Sequence, residues 1–172
     1  MDSDQIARQV TGPGGAAIAA IAQRFGPEFV DDTGALDRGR MRELAYSTPE
    51  ARTALEAIVH PLVSLHSSQQ AQAAEDAGTR VIVFDVPLLV ESGRWVQRLD
   101  TVIVIDCPPA LQIQRVMSRS GLNRSTVEAI LAAQSPRNIR RASADIVVHN
   151  GDNCTLADLH KMAEQVATRL GL

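Results

Sequence analysis

Six arginines fall between positions 115 and 141 (Arg115, Arg119, Arg124, Arg137, Arg140 and Arg141), and one acid, Glu128, stands against them. The whole 172-residue chain is acidic, with a formal net charge of −3, so this stretch carries a local excess of +5 inside a chain of the opposite sign. Such a segment is built to meet an anion. The planar guanidinium fork binds phosphate through two parallel hydrogen bonds, which makes arginine the fitting cation for a phosphorylated ligand. Arg115 and Arg119 share a helix face at i, i+4, and Arg137 and Arg140 lie one turn apart if that stretch is helical. Single arginines usually belong to a solvated face, but six against one acid favour a ligand-facing role.

Acids that could complement these cations stand at three places. Asp85 and Asp106 close two β-branched runs, where a metal ion or a hydroxyl could be met, or where a carboxylate simply ends a strand and caps the next segment. Asp4 lies in Asp2-Ser3-Asp4-Gln5, where either acid could cap the first helix and Asp4 could instead serve chemistry. His60 invites a general-base reading, yet no Ser or Cys nucleophile pairs with it. His66, His149 and His160 lack metal-ligand spacing, no metal ligand set is assigned, and Cys107 and Cys154 stand outside any CxxC or Cys/His cluster.

The elements that must position these groups change character along the chain. Residues 5–10 and 16–25 read as helices around the turn Thr11-Gly12-Pro13-Gly14-Gly15, with another helix near 38–45. Thr48-Pro49-Glu50 is a helix start with a hydroxyl cap and proline at the first position. That helix runs to His60; Pro61 interrupts the ladder, so 62–77 is expected as a separate or kinked helix. Runs at 80–86, 101–106 and 144–148 are apolar on consecutive positions, as in strands buried on both faces of a parallel sheet. Helices are expected at 110–119, 125–133 and 156–170. Strand–helix alternation implies an α/β fold with a doubly wound parallel sheet, whose ligand sits beyond the C-terminal strand ends.

Composition narrows the classes. With 45% hydrophobic residues the chain can bury a core, and 172 residues suit one domain, alone or with a lobe. No apolar run approaches the roughly 18–20 residues that span a bilayer, so no membrane partner is expected. Net negative charge and 3% aromatic residues argue against a nucleic-acid partner. Two cysteines and no signal peptide make the cytoplasm the expected compartment. Oligomeric state stays open.

An ordered set of motifs resembles the dephospho-CoA kinase family. It runs from Asp2-Ser3-Asp4-Gln5-Ile6-Ala7-Arg8 through Phe25-Gly26, Leu36-Asp37-Arg38, Ile58 and His60-Pro61-Leu62. It continues through Val86-Pro87-Leu88-Leu89 with Glu91, Arg115 with Arg119, Ala132-Ala133-Gln134 with Arg137 and Arg140, Ala144-Asp145 and Asn150-Gly151. The resemblance implies a P-loop α/β kinase with a helical substrate lobe and a basic lid. Its reaction moves the γ-phosphate of ATP, with Mg²⁺, to the ribose 3′-hydroxyl of dephospho-CoA, the last step of coenzyme A synthesis. It implies one domain over 1–172, with the CoA lobe near 9–77, the core at 80–172 and the lid at 115–141. Asp4 and Arg140 would be catalytic. His60, Asp85, Pro87, Leu88 and Leu89 would meet the substrate, and Arg115, Arg119 and Arg137 would bind phosphate.

One departure stands out. The P-loop string G-x-x-x-x-G-K-[ST] is absent, and the sole lysine, Lys161, lies in the last expected helix. The expectation is a chain that starts late, without the first strand and loop, and is inactive or impaired as written. The other readings are a non-catalytic CoA-binding module and another small-metabolite kinase.

Overall fold

A computed structural model describes residues 1–93 and 98–172, which cluster into two compact units, Met1–Pro87 and Leu88–Leu172. The first unit is helical: α1 (Ser3–Val10), α2 (Ile18–Phe25), a 3₁₀ turn (Pro27–Phe29), α3 (Arg38–Ser47) and α4 (Pro49–Asp76). Its core gathers Ile6 and Val10 of α1, Ile21 of α2, Phe29, Leu36 and Met41. Leu55, Ile58, Val59, Leu62 and Val63 of α4 pack against it at the three- and four-residue spacing of one helix face. The glycine-rich stretch 12–15 is a turn, as expected. A Cβ on Gly15 would sit 2.3 Å from the Val10 carbonyl oxygen, so only glycine lets the chain fold back there.

Three expectations for this unit are corrected. Pro61 does not divide α4, which runs unbroken from Pro49 to Asp76. Pro61 stands on the exposed side, and core contacts at Ile58, Val59, Leu62 and Val63 hold the helix on either side of the lost hydrogen bond. Pro49 does open the helix, but the Thr48 side chain makes no capping bond. The run 80–86 is likewise not a strand; Asp85 forms one isolated parallel bridge with Asp2. The Ser3 amide donates to the Asp85 carbonyl (3.1 Å) and the Asp85 amide to the Met1 carbonyl (2.7 Å). Helix α1 begins at Ser3, so the partner segment ends before a ladder can grow.

Ser67 of α4 is 2% exposed, and its hydroxyl has no hydrogen-bond partner among the described residues. An unsatisfied buried hydroxyl costs about 1–3 kcal/mol. Ser67→Ala is therefore expected to leave stability unchanged or raise it by up to about 1 kcal/mol in urea unfolding. A loss of that size would show that the hydroxyl does bonding work in the folded protein.

The second unit contains α5 (Leu89–Ser92), β1 (Ile103–Asp106), α6 (Pro109–Ser120), α7 (Arg124–Ala132), α8 (Arg137–Ala142), β2 (Ile146–His149) and α9 (Leu156–Arg169). β1 and β2 pair in parallel, with Ile103 opposite Ile146 and Asp106 opposite His149. The architecture is thus α/β, a parallel sheet among many helices. Asp145, of the Ala144-Asp145 motif, fixes the register: its carboxylate accepts from the Val102 amide at 2.8 Å, and its amide donates to the Val102 carbonyl at 2.9 Å. Burial on both faces is not what β1 shows, since Ile103 and Ile105 are 37% and 60% exposed. Among the described residues the sheet has two strands, too few to be covered throughout. Asn123 caps α7, and Thr155 with Asp158 forms a capping box on α9.

Candidate functional site

Register places Asp106 and His149 side by side at the C-terminal ends of β1 and β2. Asp106 is 4% exposed and is met by α8. Arg137 donates through Nε to Oδ1 and through Nη2 to Oδ2, both at 2.7 Å, a bidentate pair. Arg141 Nε lies 3.9 Å and His149 Nδ1 3.6 Å from Oδ2. The Arg137 bonds hold the Asp106 carboxyl below the ordinary carboxylate range, against burial, which pushes the other way; Arg141 and His149 add to the lowering. Asp106 in turn raises the Arg137 guanidinium. The acid is ionised, paired and buried, so it neither merely ends a strand nor stands free for a metal.

Arg140, on the same short helix, reaches the Gln134 side-chain oxygen at 3.4 Å. That contact joins the two halves of the Gln134–Arg140 motif. Asparagine and glycine of the Asn150-Gly151 motif also acquire a physical role. Arg115 of α6 donates to the Asn150 carbonyl (3.1 Å) and the Gly151 carbonyl (3.2 Å), while the Asn150 amide donates to the Asp106 carbonyl (2.8 Å). Arg115 therefore fastens α6 to the loop after β2. One turn on, Arg119 is exposed and has no bond or ion pair among the described residues. Arg115 and Arg119 line an open cavity of about 650 Å³ with Leu111, Gln114 and Asp152. Arg124, the remaining cation, is taken up by Glu128 at 3.0 Å. Cys107, beside Asp106, has its thiol pushed up by burial.

In the first unit, the two N-terminal acids divide their work. Asp2 is the cap of α1, its Oδ1 accepting from the Gln5 amide at 2.9 Å. Asp4, in the first turn, is exposed, and its carboxylate makes no hydrogen bond among the described residues. The plainer role for these acids is thus filled by Asp2, leaving Asp4 open. Asp85 is exposed and held by its backbone, and Pro87 follows it at the end of this unit. His60 is exposed in mid-α4, next to Pro61. Leu88 and Leu89 open α5 in the second unit, Leu88 being 42% exposed.

Sequence reasoning singled out the arginines but missed what holds Arg137, namely Asp106 with Arg141 and His149 beside it. The available signal was a strand-ending acid followed, at a distance, by an arginine-rich stretch. Among the described residues, no group of three or more His, Cys, Asp or Glu side chains is placed to hold a metal ion. No helix among them is long and apolar enough to cross a membrane.

The dephospho-CoA kinase family model matches residues 1–155. The chain is 50% identical over 172 residues to a dephospho-CoA kinase of Albidiferax ferrireducens, covering all of this chain and 81% of that protein. It is 50% identical over 158 residues to the Bordetella pertussis dephospho-CoA kinase, covering 92% and 72%. Among solved structures it resembles TT1252 from Thermus thermophilus, with a TM-score of 0.74, 32% identity and coverage of 99% and 83%. A dephospho-CoA kinase from Campylobacter jejuni gives a TM-score of 0.70 at 24% identity, with the same coverage, a likeness of fold.

Proposed function

This chain belongs to the dephospho-CoA kinase family, a family of ATP-dependent kinases, and from that premise we propose that its substrate is dephospho-CoA, bound in the cytoplasm. In this reading residues 9–77 form the CoA lobe and 115–141 the lid over a core spanning 80–172. His60, Asp85, Pro87, Leu88 and Leu89 contact the acceptor. Asp4 orients the ribose 3′-hydroxyl and accepts its proton as the oxygen attacks the γ-phosphorus and ADP departs. Arg140 neutralises charge on the moving phosphoryl group, with Arg115, Arg119 and Arg137 in the lid. Phosphoryl transfer asks chiefly for positioning and positive charge around the equatorial oxygens.

The observation that carries this reading is the gathering of lid arginines beside the ends of β1 and β2, where α/β proteins take their ligands. Mg²⁺ in kinases is held mainly by phosphate and water with one or two acids, and Asp4, which makes no hydrogen bond among the described residues, would be the acid this chain offers it. Bound there, it would supply positive charge to the phosphates.

The 172 residues contain no Gly-Lys-Ser/Thr string, and the second reading is a CoA-binding module with little turnover. Calorimetry with each ligand separately tests both. Dephospho-CoA is expected to bind and ATP to bind weakly, with turnover far below an ordinary kinase rate. Absence of dephospho-CoA binding would refute the substrate assignment; ordinary ATP turnover would refute the module reading.

A further inference from the structure

The contact between Asp106 and Arg137 bears on what the lid arginines can each do. α8 is six residues long, too short to persist by its own hydrogen bonds, so its position comes from tertiary contacts. Its most specific one is the bidentate pair from its first residue to a buried carboxylate on the end of β1. That pair commits the Nε/Nη2 edge of the guanidinium, one of its two bidentate edges, to the protein and fixes the plane of the side chain. Arg140 and Arg141, at the other end of α8, have no comparable commitment: Arg140 makes one long bond to Gln134, and Arg141 stays 3.9 Å from Asp106.

The geometry points to Arg137 as an anchor rather than a phosphate ligand, with Asp106 the positioning residue that docks α8 and thereby aims Arg140 and Arg141. This refines the lid and rests on the proposal that α8 faces phosphate. The alternative, Arg137 as a direct ligand temporarily held by Asp106, makes an opposite forecast. If Asp106 competes with the anion, removing its charge frees Arg137 and tightens anion binding; if Asp106 aims the helix, the same change loosens it.

Two measurements on the full chain decide the matter. In the first, inorganic tripolyphosphate is titrated into the wild-type chain, Asp106→Asn, Arg137→Gln and the double variant. A charge-assisted bond is worth enough to shift affinity about tenfold. Each single variant is expected to weaken binding by about that factor, and the double variant to lose no more than either, because both break one contact. Tighter binding by Asp106→Asn would overturn the anchor. In the second, native-state hydrogen exchange is followed in Arg137→Gln, whose altered side chain is partly solvated. Selective loss of protection in α8, with β1 and β2 unchanged, is expected; unchanged α8 protection would overturn the proposal even if Asp106→Asn failed to fold. Arg140→Gln separates the premise from the inference. If it leaves tripolyphosphate binding untouched, or the wild-type chain takes up none, α8 does not meet phosphate, and the exchange result alone decides whether Asp106 anchors it.

Discussion

Joining a strand–loop–helix segment that carries Gly-x-x-x-x-Gly-Lys-Ser/Thr ahead of Met1 is expected to raise ATP-dependent phosphorylation of dephospho-CoA by about 10³-fold or more over the 172-residue chain. The size reflects the groups such a loop supplies. Its successive backbone N–H groups form an anion-binding nest, and its lysine reaches the β- and γ-phosphates. Loss of one preorganised donor at a reacting oxyanion already costs about 10²–10³ in rate. The arginines of the 115–141 stretch cannot replace that cradle. Arg137 is occupied by Asp106, Arg115 by the Asn150 and Gly151 carbonyls, and Arg124 by Glu128. In the proposed reading Arg119, Arg140 and Arg141 are left for the triphosphate, and side chains of this kind add charge without fixing the γ-phosphorus in line. The check is a steady-state assay of ADP release on both chains at matched concentration. Equal rates would mean that the 172 residues already hold the triphosphate by other groups. Dephospho-CoA affinity should stay within about threefold between the two chains, since the loop's share is confined to the donor.

How far the sequence could be read depended on whether the information was local. The turn at 12–15 was legible, since Gly15 alone tolerates the Val10 carbonyl, whereas the caps at Asn123 and at Thr155 with Asp158 went unread and the expected Thr48 cap makes no bond. Strand pairing was not local. The run 80–86 has the same β-branched character as 101–106, yet the latter found β2 as a partner and the former found only Met1–Ser3 before α1 begins. Proline misled for a related reason, since the backbone bond lost at Pro61 was outweighed by core contacts made by its neighbours. The site divided along the same line. The excess of positive charge in 115–141 was visible in the sequence, but which arginine is free depends on pairings 31 and 36 residues apart in the chain. Periodicity carries no trace of such pairings. The family motifs marked the positions that matter without saying why; the structure gives Asp145 and Asn150-Gly151 jobs in strand register and loop attachment.

Asp4→Asn, made in the loop-bearing chain, is expected to lower kcat by about 10²–10⁴, the range that a positioned proton acceptor contributes. Asparagine keeps the shape and can still hydrogen-bond the ribose hydroxyl, but it neither takes the proton nor carries charge. KM for dephospho-CoA should therefore move little while kcat falls, the pattern of an interaction made in the transition state. A competing explanation is that Asp4 only complements the N-terminal dipole of α1, where an acid is worth about 0.3–1 kcal/mol of stability. The same variant separates the two. Asp2 already supplies the cap through its bond to the Gln5 amide, and Asp4 makes no bond among the described residues. Thermal unfolding of Asp4→Asn should thus stay close to wild type while turnover collapses. Asp2→Asn serves as the control, because asparagine caps a helix about as well as aspartate and should preserve both quantities. If Asp4→Asn instead retained most of its turnover, the proton would have another acceptor, and Asp4 would be left as a surface acid at the start of a helix.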